Sequence, residues 1–593
     1  MKRKYLLLLS AFFLSSCDFS VVNDFLTSSE ESLNESIDSK QTSIETTSEQ
    51  AAEISQIESS DLNIQSEGIQ SEVTSQEEIS KEDKSIEFSF EEEEISSSEE
   101  NSIETLSEEN SSSEVKLIDV SDKEYYKSLV DRSKINYSSK LVNDPTHVVR
   151  NLEVFEVNDT HGAYIEQATG DISFTRVATC IKENTNDPYA CVKIANGDMM
   201  QGSAFSNMLL GEPAVASLNE LHFDCFVLGN HEFDWSLDNL GVYKDNDPSN
   251  GELECPILCA NLKSTTGEIP SYIEPYTIVE KGDLRVGIIG IIGDGEEKDI
   301  SKVSIGNYYF SDSVEAVNKW ANYLQNIEHV NSIIVASHAH EIEYNEQYVS
   351  TYLVDAIING HDHQSVEETV TRFDNKKVPV IESNTKNKYD GVGKITLTFD
   401  NNKKYSSYSM EHFDNILYYD EDTNLANILA QYSTVIDKYQ NEVIGYTNSF
   451  LSKSDIGNIV CNKIAEEFDC DLVFINTGGV RNTIYKGDIT IGTIYNVYPF
   501  DNELVIANVA GLELRKMIPS DSMDGYYYNT DREITNSATE YGYYSVNTSK
   551  TYKVCSVDYV STKDYMTKYF NAEHGLINTG YYIRDLAIEA FRN

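Results

Sequence analysis

Short apolar runs recur through the middle of this 593-residue chain, each about as long as a β-strand. Residues 151–157 alternate apolar and polar side chains, as a half-buried strand does. Four further runs are more continuously apolar, and they lie at 190–195, 224–228, 332–336 and 353–358. Residues 213–221 and 313–327 have a helical pattern instead. Strands interspersed with helices predict an α/β domain, which we place at 148–400.

Side chains that can bind metals follow each of the five runs, at the point where the strand should end. The five ends are Asn158-Asp159-Thr160-His161-Gly162, Asn196-Gly197-Asp198, Gly229-Asn230-His231, Ser337-His338 and Asn359-Gly360-His361-Asp362-His363. Glycine beside these residues lets the backbone turn sharply and approach closely. Ligands of open α/β sheets bind beyond the carboxyl ends of the strands, so we expect the five ends to converge on one cleft.

The third of these ends, residues 229–235, combines three kinds of chemistry. Asn230 offers a neutral oxygen ligand, and His231 offers a proton donor. Asp234 can orient that imidazole and tune its charge. Alone, the stretch is equally compatible with a capped helix start, in which Asn or Asp satisfies free backbone amides. The other four strand ends favour the catalytic interpretation.

His, Asp and Asn without Cys form a mixed nitrogen and oxygen ligand set. Such a set suits divalent ions such as Zn, Mn or Co and differs from a structural thiolate zinc site. A carboxylate can bridge two ions, and Asp198 is the candidate for that role. Two ions about 3.5–4 Å apart can activate one water and hold the oxygens of a phosphate ester. We therefore predict two divalent metal ions as cofactors.

A second α/β block occupies residues 444–593. A predicted linker helix at 424–443 precedes it, and residues 401–423 before that helix have an irregular, polar pattern. The block contains a predicted strand at 471–475 that ends in Asn476-Thr477-Gly478-Gly479-Val480-Arg481, then Phe500, a predicted strand at 552–559, and a closing helix near 580–591.

The N-terminus has the pattern of an export signal. Lys2, Arg3 and Lys4 precede an apolar run at 5–13 that is too short to span a bilayer as a stable helix. Leu14-Ser15-Ser16-Cys17 resembles the lipobox of a bacterial lipoprotein. In that class the signal, here residues 1–16, is removed and Cys17 carries the lipid. The alternative is ordinary secretion with cleavage near the same place.

Residues 17–120 are rich in Ser and Glu and lack a sustained hydrophobic period. From residue 18 onward this part contains 29 acidic and 4 basic residues, and so supplies −25 of the formal charge of −54. It cannot bury enough surface to offset its ordering entropy, which predicts a disordered tether. The large negative charge also makes a nucleic acid polymer an unfavourable partner.

Eight cysteines remain after Cys17. Several lie in apolar surroundings, so we expect buried free thiols, although export would permit disulfides. A zinc site from Cys255 and Cys259 is a weak alternative, because no second pair lies nearby.

The ordered motifs of the first block resemble those of the calcineurin-like metallophosphoesterase superfamily. Asn158 to Gly162, Asp198-x-x-Gln201-Gly202 and Gly229 to Asp234 narrow the resemblance to the 5′-nucleotidase family, and Asn476 to Arg481 resembles that family's C-terminal domain. The resemblance covers about 148 to 593. It implies a four-layer α/β/β/α sandwich domain followed by a smaller α/β substrate-binding domain.

The same resemblance implies roles for individual residues. One metal would be held by Asp159, His161, Asp198 and His363, and the other by Asp198, Asn230, His338 and His361. His231 and Asp234 would form the catalytic dyad. In the second domain, the implied substrate contacts are Asn476, Arg481, Phe500, Tyr559 and Asp564. Two departures concern substrate selectivity: Val560-Ser561-Thr562-Lys563-Asp564 replaces a common Gly-Gly-Asp loop, and Lys453 stands where many members have Arg.

The resemblance implies a nucleotidase that is lipid-anchored on the outer face of a bacterial membrane. Its substrate would be a nucleotide phosphomonoester, hydrolysed to nucleoside and phosphate. Alternatives with the same motifs are a 2′,3′-cyclic-nucleotide 2′-phosphodiesterase with 3′-nucleotidase activity, and a nucleotide-sugar hydrolase. A surface adhesin or binding protein that keeps the fold is a further alternative, which the intact ligand set disfavours.

Overall fold

The computed structural model describes the folded part of the chain, namely residues 120–165, 173–339, 343–351, 353–383, 390–517, 526–528 and 546–592. The signal segment 1–16, Cys17 and all but the last residue of the tether at 17–120 lie outside the described residues. The interpretations made for them stay predictions.

Two β-sheets form the centre of the first domain. Its strands are β1 (Asn151–Val157), β2 (Cys191–Asn196), β3 (Cys225–Val227), β4 (Ile257–Leu258), β5 (Leu262–Ser264), β6 (Ile273–Glu274), β7 (Tyr276–Lys281), β8 (Leu284–Ile292), β9 (Tyr308–Phe310), β10 (Ser332–His338), β11 (Ala356–Gly360), β12 (Val366–Thr371), β13 (Lys377–Glu382), β14 (Asp390–Phe399) and β15 (Tyr405–Asp414). One sheet has the order β15-β14-β1-β2-β3-β4-β6, and the other has the order β12-β13-β11-β10-β8-β7. β1, β2 and β3 are parallel, and so are β8, β10 and β11.

Helices flank this pair of sheets and precede it. They are α1 (Val120–Ser128), α2 (Phe174–Asn184), α3 (Ala204–Asn207), α4 (Glu212–Glu220), α5 (Ser236–Gly241), α6 (Lys302–Ile305), α7 (Ser313–Asn326) and α8 (Glu343–Tyr348). The side chains of Ser173 and Asp312 cap α2 and α7 by accepting hydrogen bonds from the backbone of the first turn.

The two sheets pack face to face, which confirms the sandwich architecture. Val154 and Ile194 of one sheet share a buried cluster with Ile288 and Ala336 of the other. The outer face of the first sheet packs against α2, and that of the second sheet against α7. Four layers in the order α/β/β/α therefore bury the apolar runs that the sequence displays.

The interpretation of 401–423 as irregular is wrong over residues 405–414, because these residues form β15 and pair with β14. β15 is an edge strand of the sheet, and several of its side chains are exposed to solvent. An edge strand needs few apolar residues. Its polar composition therefore hid it from a hydrophobic-pattern analysis, and the first sheet extends beyond residue 400.

The linker helix is α9 (Thr423–Gln440), which Asp422 caps. The second domain contains β16 (Val443–Thr447), α10 (Lys453–Glu467), β17 (Leu472–Asn476), β18 (Gly487–Thr490), α11 (Ile491–Val497), β19 (Glu503–Ala510), α12 (Gly511–Met517), β20 (Tyr526–Tyr528), β21 (Thr551–Val557), α13 (Asp558–Ser561), β22 (Ile577–Tyr582) and α14 (Ile583–Phe591). Its main sheet has the order β20-β17-β21-β19-β22. α9 packs on α4 of the first domain and on α11 of the second.

All eight cysteines of the described residues are buried and free, which confirms the expectation of buried thiols. Burial raises the pKa of Cys180, Cys255 and Cys259 to about 12. The helices in the described part of the chain include none that is both long and apolar enough to cross a bilayer.

Candidate active site

The carboxyl ends of five strands meet on one side of the first domain, where they bring the candidate ligands together. Asp159 and His161 follow β1, Asp198 follows β2, and Asn230 and His231 lie in a 3₁₀ turn after β3. From the second sheet come the last residue of β10 and two residues just beyond β11, namely His338, His361 and His363. The parallel strands produce this convergence.

Five of these side chains stand on left-handed backbone, a conformation that non-glycine residues rarely adopt. The positions are Asp159 (φ 50°), His161 (φ 46°), Asp198 (φ 54°), His361 (φ 85°) and His363 (φ 54°). Each such residue costs of order 1–3 kcal/mol, so the surrounding structure must hold it. Several left-handed residues within one cluster are typical of a functional site.

Gly197 and Gly229 allow the cluster to close. A Cβ atom on Gly197 would lie 2.2 Å from His338 Nδ1, and Gly197 itself has φ +84°. A Cβ atom on Gly229 would lie 2.3 Å from Asp198 Oδ1. Any larger residue would therefore displace a candidate ligand.

Among the described residues, four groups of side chains offer metal-ligand atoms that lie within 4.8 Å of one another, and two of these groups consist only of predicted ligands. Asp159, His161 and His363 form the first group, and Asp198, His338 and His361 form the second. In the first group, His363 Nε2 lies 3.3 Å from Asp159 Oδ1 and 3.1 Å from His161 Nε2. Asp198 also belongs to a group with His161 and His231, so its carboxylate stands between the two sets.

Buried polar atoms without hydrogen bonds show that the cluster fits divalent ions. Asp159 Oδ1 and His338 Nε2 are both buried and make no well-formed hydrogen bond, although each has another candidate ligand atom 3.3 Å away. Such atoms are costly unless something else compensates them. His338 Nδ1 lies 2.8 Å from the carbonyl oxygen of Asn196, which can only accept, so Nδ1 donates there. This bond leaves Nε2 to face the cluster as a ligand atom.

The remaining candidate ligand, Asn230, lies beside His361. Its Oδ1 is 2.9 Å from His361 Nδ1. The amide oxygen therefore stands next to an imidazole of the second group.

The charges of the cluster depend strongly on one another. Burial disfavours the charged form of Asp198, but His338 and His231 outweigh it and hold the pKa of this carboxyl well below its usual range. Burial also opposes the charge on His338, but Asp198 outweighs that effect and raises the pKa of His338 to about 10. Burial raises the pKa of Asp159 to about 6. Buried carboxylates thus create a field that cations would relieve.

His231 and Asp234 form the dyad that the sequence predicts. His231 Nδ1 lies 3.0 Å from Asp234 Oδ2. Burial lowers the tendency of the imidazole to ionise, but Asp198 and then Asp234 outweigh it and raise the pKa of His231. The backbone amide of His231 donates to Asp198 Oδ1 at 2.9 Å, which connects the dyad to the candidate metal ligands.

Sequence reasoning did not single out Glu232, which is buried behind the dyad. Its carboxylate accepts hydrogen bonds from the backbone amides of Gly229 and Asp198, both at 2.8 Å, and of Met199 at 2.9 Å. It therefore fixes two of the strand-end loops to each other. A Glu three residues after a capping position was the available signal.

A cavity of about 810 Å³ extends from the cluster into the second domain. Asp198, His231 and His361 line one end. The candidate substrate contacts Asn476, Arg481, Phe500 and Tyr559 also line it, together with Lys453. Both domains therefore contribute to one cavity.

Phe500 lies directly against the dyad. Its ring stacks on that of His231, with centroids 5.3 Å apart and planes inclined by 24°. The guanidinium of Arg481 lies 5.7 Å from the centroid of the Phe500 ring. Asn207 Nδ2 of the first domain donates to the carbonyl of Pro499 at 2.8 Å, which holds this loop in place.

The loop after β21 differs from its predicted surroundings. Tyr559 lies in α13 rather than in a strand, and Lys563 Nζ stands 3.8 Å from the centroid of its ring. Asp564 is not brought to the cavity: its side chain is 97% exposed and pairs with Lys302 at 3.0 Å. The loop thus presents an ammonium group to Tyr559 and turns its carboxylate to solvent.

Two family models match the chain. The model described as calcineurin-like phosphoesterase matches residues 152–365, and the model described as 5′-nucleotidase, C-terminal domain, matches residues 430–571. Together they span the metal cluster and the second-domain side of the cavity.

Individual relatives are more distant. The chain is 27% identical over 470 residues to the endonuclease YhcR of Bacillus subtilis, covering 70% of this chain but 37% of that protein. It is 26% identical over 418 residues to a snake venom 5′-nucleotidase of Naja atra, covering 62% of this chain and 77% of the relative. A 5′-nucleotidase precursor from Thermus thermophilus shares the fold, with a TM-score of 0.61 at 21% identity over 74% of this chain and 96% of that one.

Proposed function

Since the chain belongs to the calcineurin-like phosphoesterases that carry a 5′-nucleotidase C-terminal domain, we propose that it hydrolyses nucleotide phosphomonoesters to nucleoside and phosphate outside the cell. The observation that carries this proposal is the shared cavity. Ligand clusters line its first-domain end, and Arg481 and Phe500 line its second-domain side. A nucleotide has the same two-part chemistry, with an anionic phosphate at one end and a flat base at the other.

We assign the metal ligands as the sequence predicts them. Asp159, His161, Asp198 and His363 would hold one divalent ion, and Asp198, Asn230, His338 and His361 would hold the other. Zn, Mn and Co all suit this ligand set. When bound, the two ions would supply the Lewis acidity that activates water and compensates the charge on phosphate oxygens.

The chain's own side chains have separate tasks. His231 stabilises developing negative charge on the phosphate by donating a proton or a hydrogen bond from Nε2, since Nδ1 faces Asp234. Asp234 holds that ring orientation. Arg481 provides a planar cation that suits phosphate or ribose oxygens. Phe500 stacks on the base, with Tyr559 and Asn476 as further contacts.

Phosphate release from a substrate panel tests the proposed function. The full chain is assayed with nucleoside mono-, di- and triphosphates, cyclic nucleotides and nucleotide sugars, each in the presence of Zn, Mn and Co. We expect nucleoside monophosphates to give the highest kcat/KM. Faster turnover of cyclic nucleotides or nucleotide sugars would assign the site to a related phosphoesterase, and release from none of them would contradict the proposal.

Replacement of Phe500 by Ala tests how the base is recognised. Stacking on an aromatic side chain is worth about 1–3 kcal/mol per base, so kcat/KM for nucleotides should fall roughly 5- to 150-fold. Hydrolysis of a small aryl phosphate should fall much less. Phe450→Ala is the matched control, because Phe450 is an exposed aromatic of the same domain that packs on Tyr485. Equal losses for both substrates would show that Phe500 acts through its packing against His231 and does not stack on the base.

Lipid attachment at Cys17 would place the enzyme on the outer face of the cell membrane. We expect Cys17→Ala to abolish incorporation of a labelled fatty acid and to release or mislocalise the protein. Cys180→Ala, which removes a buried thiol, serves as the control that keeps the label. An unlipidated N-terminus at residue 18 or later in the wild-type protein would instead show ordinary secretion.

A further inference from the structure

Residues 120–138 precede β1 and lie outside both family matches, yet they run along the junction of the two domains. We call this segment the clasp. Lys123 on its helix α1 is completely buried, and its ammonium forms an ion pair with Asp501 of the second domain. Arg584 of α14 pairs with the same carboxylate. A residue from before the first domain is therefore buried against a carboxylate of the second.

Lys123 also lies between the two halves of the active site. Asp501 directly follows Phe500 and lines the catalytic cavity. The Nζ atom of Lys123 stands 5.4 Å from the centroid of a Trp235 ring, and Trp235 directly follows Asp234 of the dyad. The Lys123 ammonium thus lies beside Trp235, which follows the dyad residue Asp234, and beside Asp501, which follows Phe500.

A second contact of α1 reaches the linker helix. The ring of Tyr126 lies 5.9 Å from that of Tyr439 in α9, and Tyr439 lies 6.4 Å from Tyr495 in α11. The guanidinium of Arg584 stands 4.0 Å from the centroid of the Tyr495 ring. Because Arg584 also pairs with Asp501, these contacts connect α1 to the Asp501 ion pair by a second route through the linker helix.

The other end of the clasp is anchored to the first domain. Arg132 donates to both carboxylate oxygens of Glu212 in α4, at 2.7 and 2.6 Å. Tyr432 of α9 donates to the same carboxylate at 3.2 Å. The clasp is therefore held at one end by the first domain and inserts Lys123 at the other end.

A buried ion pair is a poor source of stability, because its desolvation cost can exceed the attraction gained. Burial lowers the pKa of Lys123, and Asp501 opposes that effect. The pKa of Asp501 is held at about 2, because Lys123 and Arg584 outweigh its burial. Such a pair fixes one geometry instead, since a shifted second domain would take Asp501 and Arg584 with it and leave the buried Lys123 ammonium without its carboxylate.

We propose that the clasp holds the second domain over the metal cluster, with Lys123 as the residue that positions the Phe500 loop against His231. This inference rests on the proposed function for its catalytic consequence. Its structural content is independent of the substrate. It predicts that losing the Lys123 ammonium loosens the domain junction while leaving the metal cluster, which lies wholly in the first domain, intact.

Trp235 provides a direct reporter of this junction. The chain has two tryptophans. The other, Trp320, lies on α7 in the first domain and packs against Tyr276. In a full-length Trp320→Phe background, fluorescence therefore comes from Trp235. We expect Lys123→Met to increase acrylamide quenching of Trp235. The kcat/KM for nucleotides should fall on the order of 10²-fold, as for a small misplacement of catalytic groups, while aryl phosphate hydrolysis changes little.

Lys127→Met is the matched control. Lys127 is buried on the same helix, one turn further on, but its ammonium lies 4.0 Å from the ring centroid of Tyr243 in the first domain. This variant should leave both Trp235 quenching and nucleotide selectivity unchanged. Lys123→Arg, which keeps the charge, should restore most of both properties.

Three outcomes would overturn the inference: unchanged quenching in Lys123→Met, equal effects of Lys127→Met, or equal losses on both substrates. If Lys123→Met does not fold, Tyr126→Leu replaces it, because that change removes the ring contact with Tyr439 and keeps the charge. It should raise quenching in the same direction, and no change would count against the clasp. The fluorescence result stands even if no nucleotide proves to be a substrate.

Discussion

Replacing Asp198 with Asn should remove most of the hydrolytic activity and lower the metal content of the protein, while the fold survives. The carboxylate stands between the two ligand groups, so its loss weakens both. Even partners that merely orient a ligand cost about 10–100-fold in affinity or activity when removed, and a shared ligand should cost more. Asn has nearly the same size and tolerates the left-handed backbone at this position, where φ is 54°.

Metal analysis by mass spectrometry and phosphate release measure the two effects separately. Asp355→Asn is a suitable control, because Asp355 is also a buried carboxylate of the first domain but pairs with Arg372 at 2.7 Å. It should keep its metal content. Undiminished turnover with full metal occupancy in Asp198→Asn would rule out the dinuclear site.

Replacing His231 with Ala should separate the chemical step from metal binding. A positioned acid–base group contributes about 10²–10⁴-fold, so kcat should fall within that range while both metals stay bound. Asp234→Asn should lose less, because the imidazole remains and only its orientation and charge change. Metal content and kcat are measured on the same preparations.

His222→Ala provides the comparison for this prediction. His222 also belongs to the first domain, and its ring lies 3.6 Å from Glu254 rather than in the cavity. We expect nearly normal kcat from it. Loss of metal in His231→Ala, with no further loss of turnover after metal is restored, would show that His231 is a ligand rather than a catalytic group.

The ligand cluster was predictable because the end of each strand is recognisable in the sequence. A buried apolar run followed by Asp, Asn or His beside Gly places a side chain at the sheet edge whatever the distance along the chain. Asp159 and His363 are separated by more than two hundred residues, yet their side chains meet at 3.3 Å. The two-layer sheet arrangement was implied by family resemblance, since the apolar pattern does not state which sheets face each other.

Other parts depend on tertiary partners that leave no local pattern. In the sequence, Lys123 is one of several charged residues in a polar segment. Its pairing with Asp501 appears only in the folded chain. The stacking of Phe500 on His231 likewise joins two domains. Its position in a family loop predicts Asp564 as a substrate contact, but its side chain is exposed to solvent and pairs with Lys302. Such contacts follow from three-dimensional neighbours rather than from periodicity or motif.

The eight buried thiols have a consequence for how this protein experiences its surroundings. In the described domains all eight are buried thiols rather than halves of disulfides. A thiol reacts as its thiolate, so a group with a raised pKa and no solvent access stays silent until its segment opens. The thiols are distributed over both domains, from Cys180 to Cys555. Their rates of alkylation therefore report local unfolding, and these rates allow the local stability of the two domains to be compared without an introduced label.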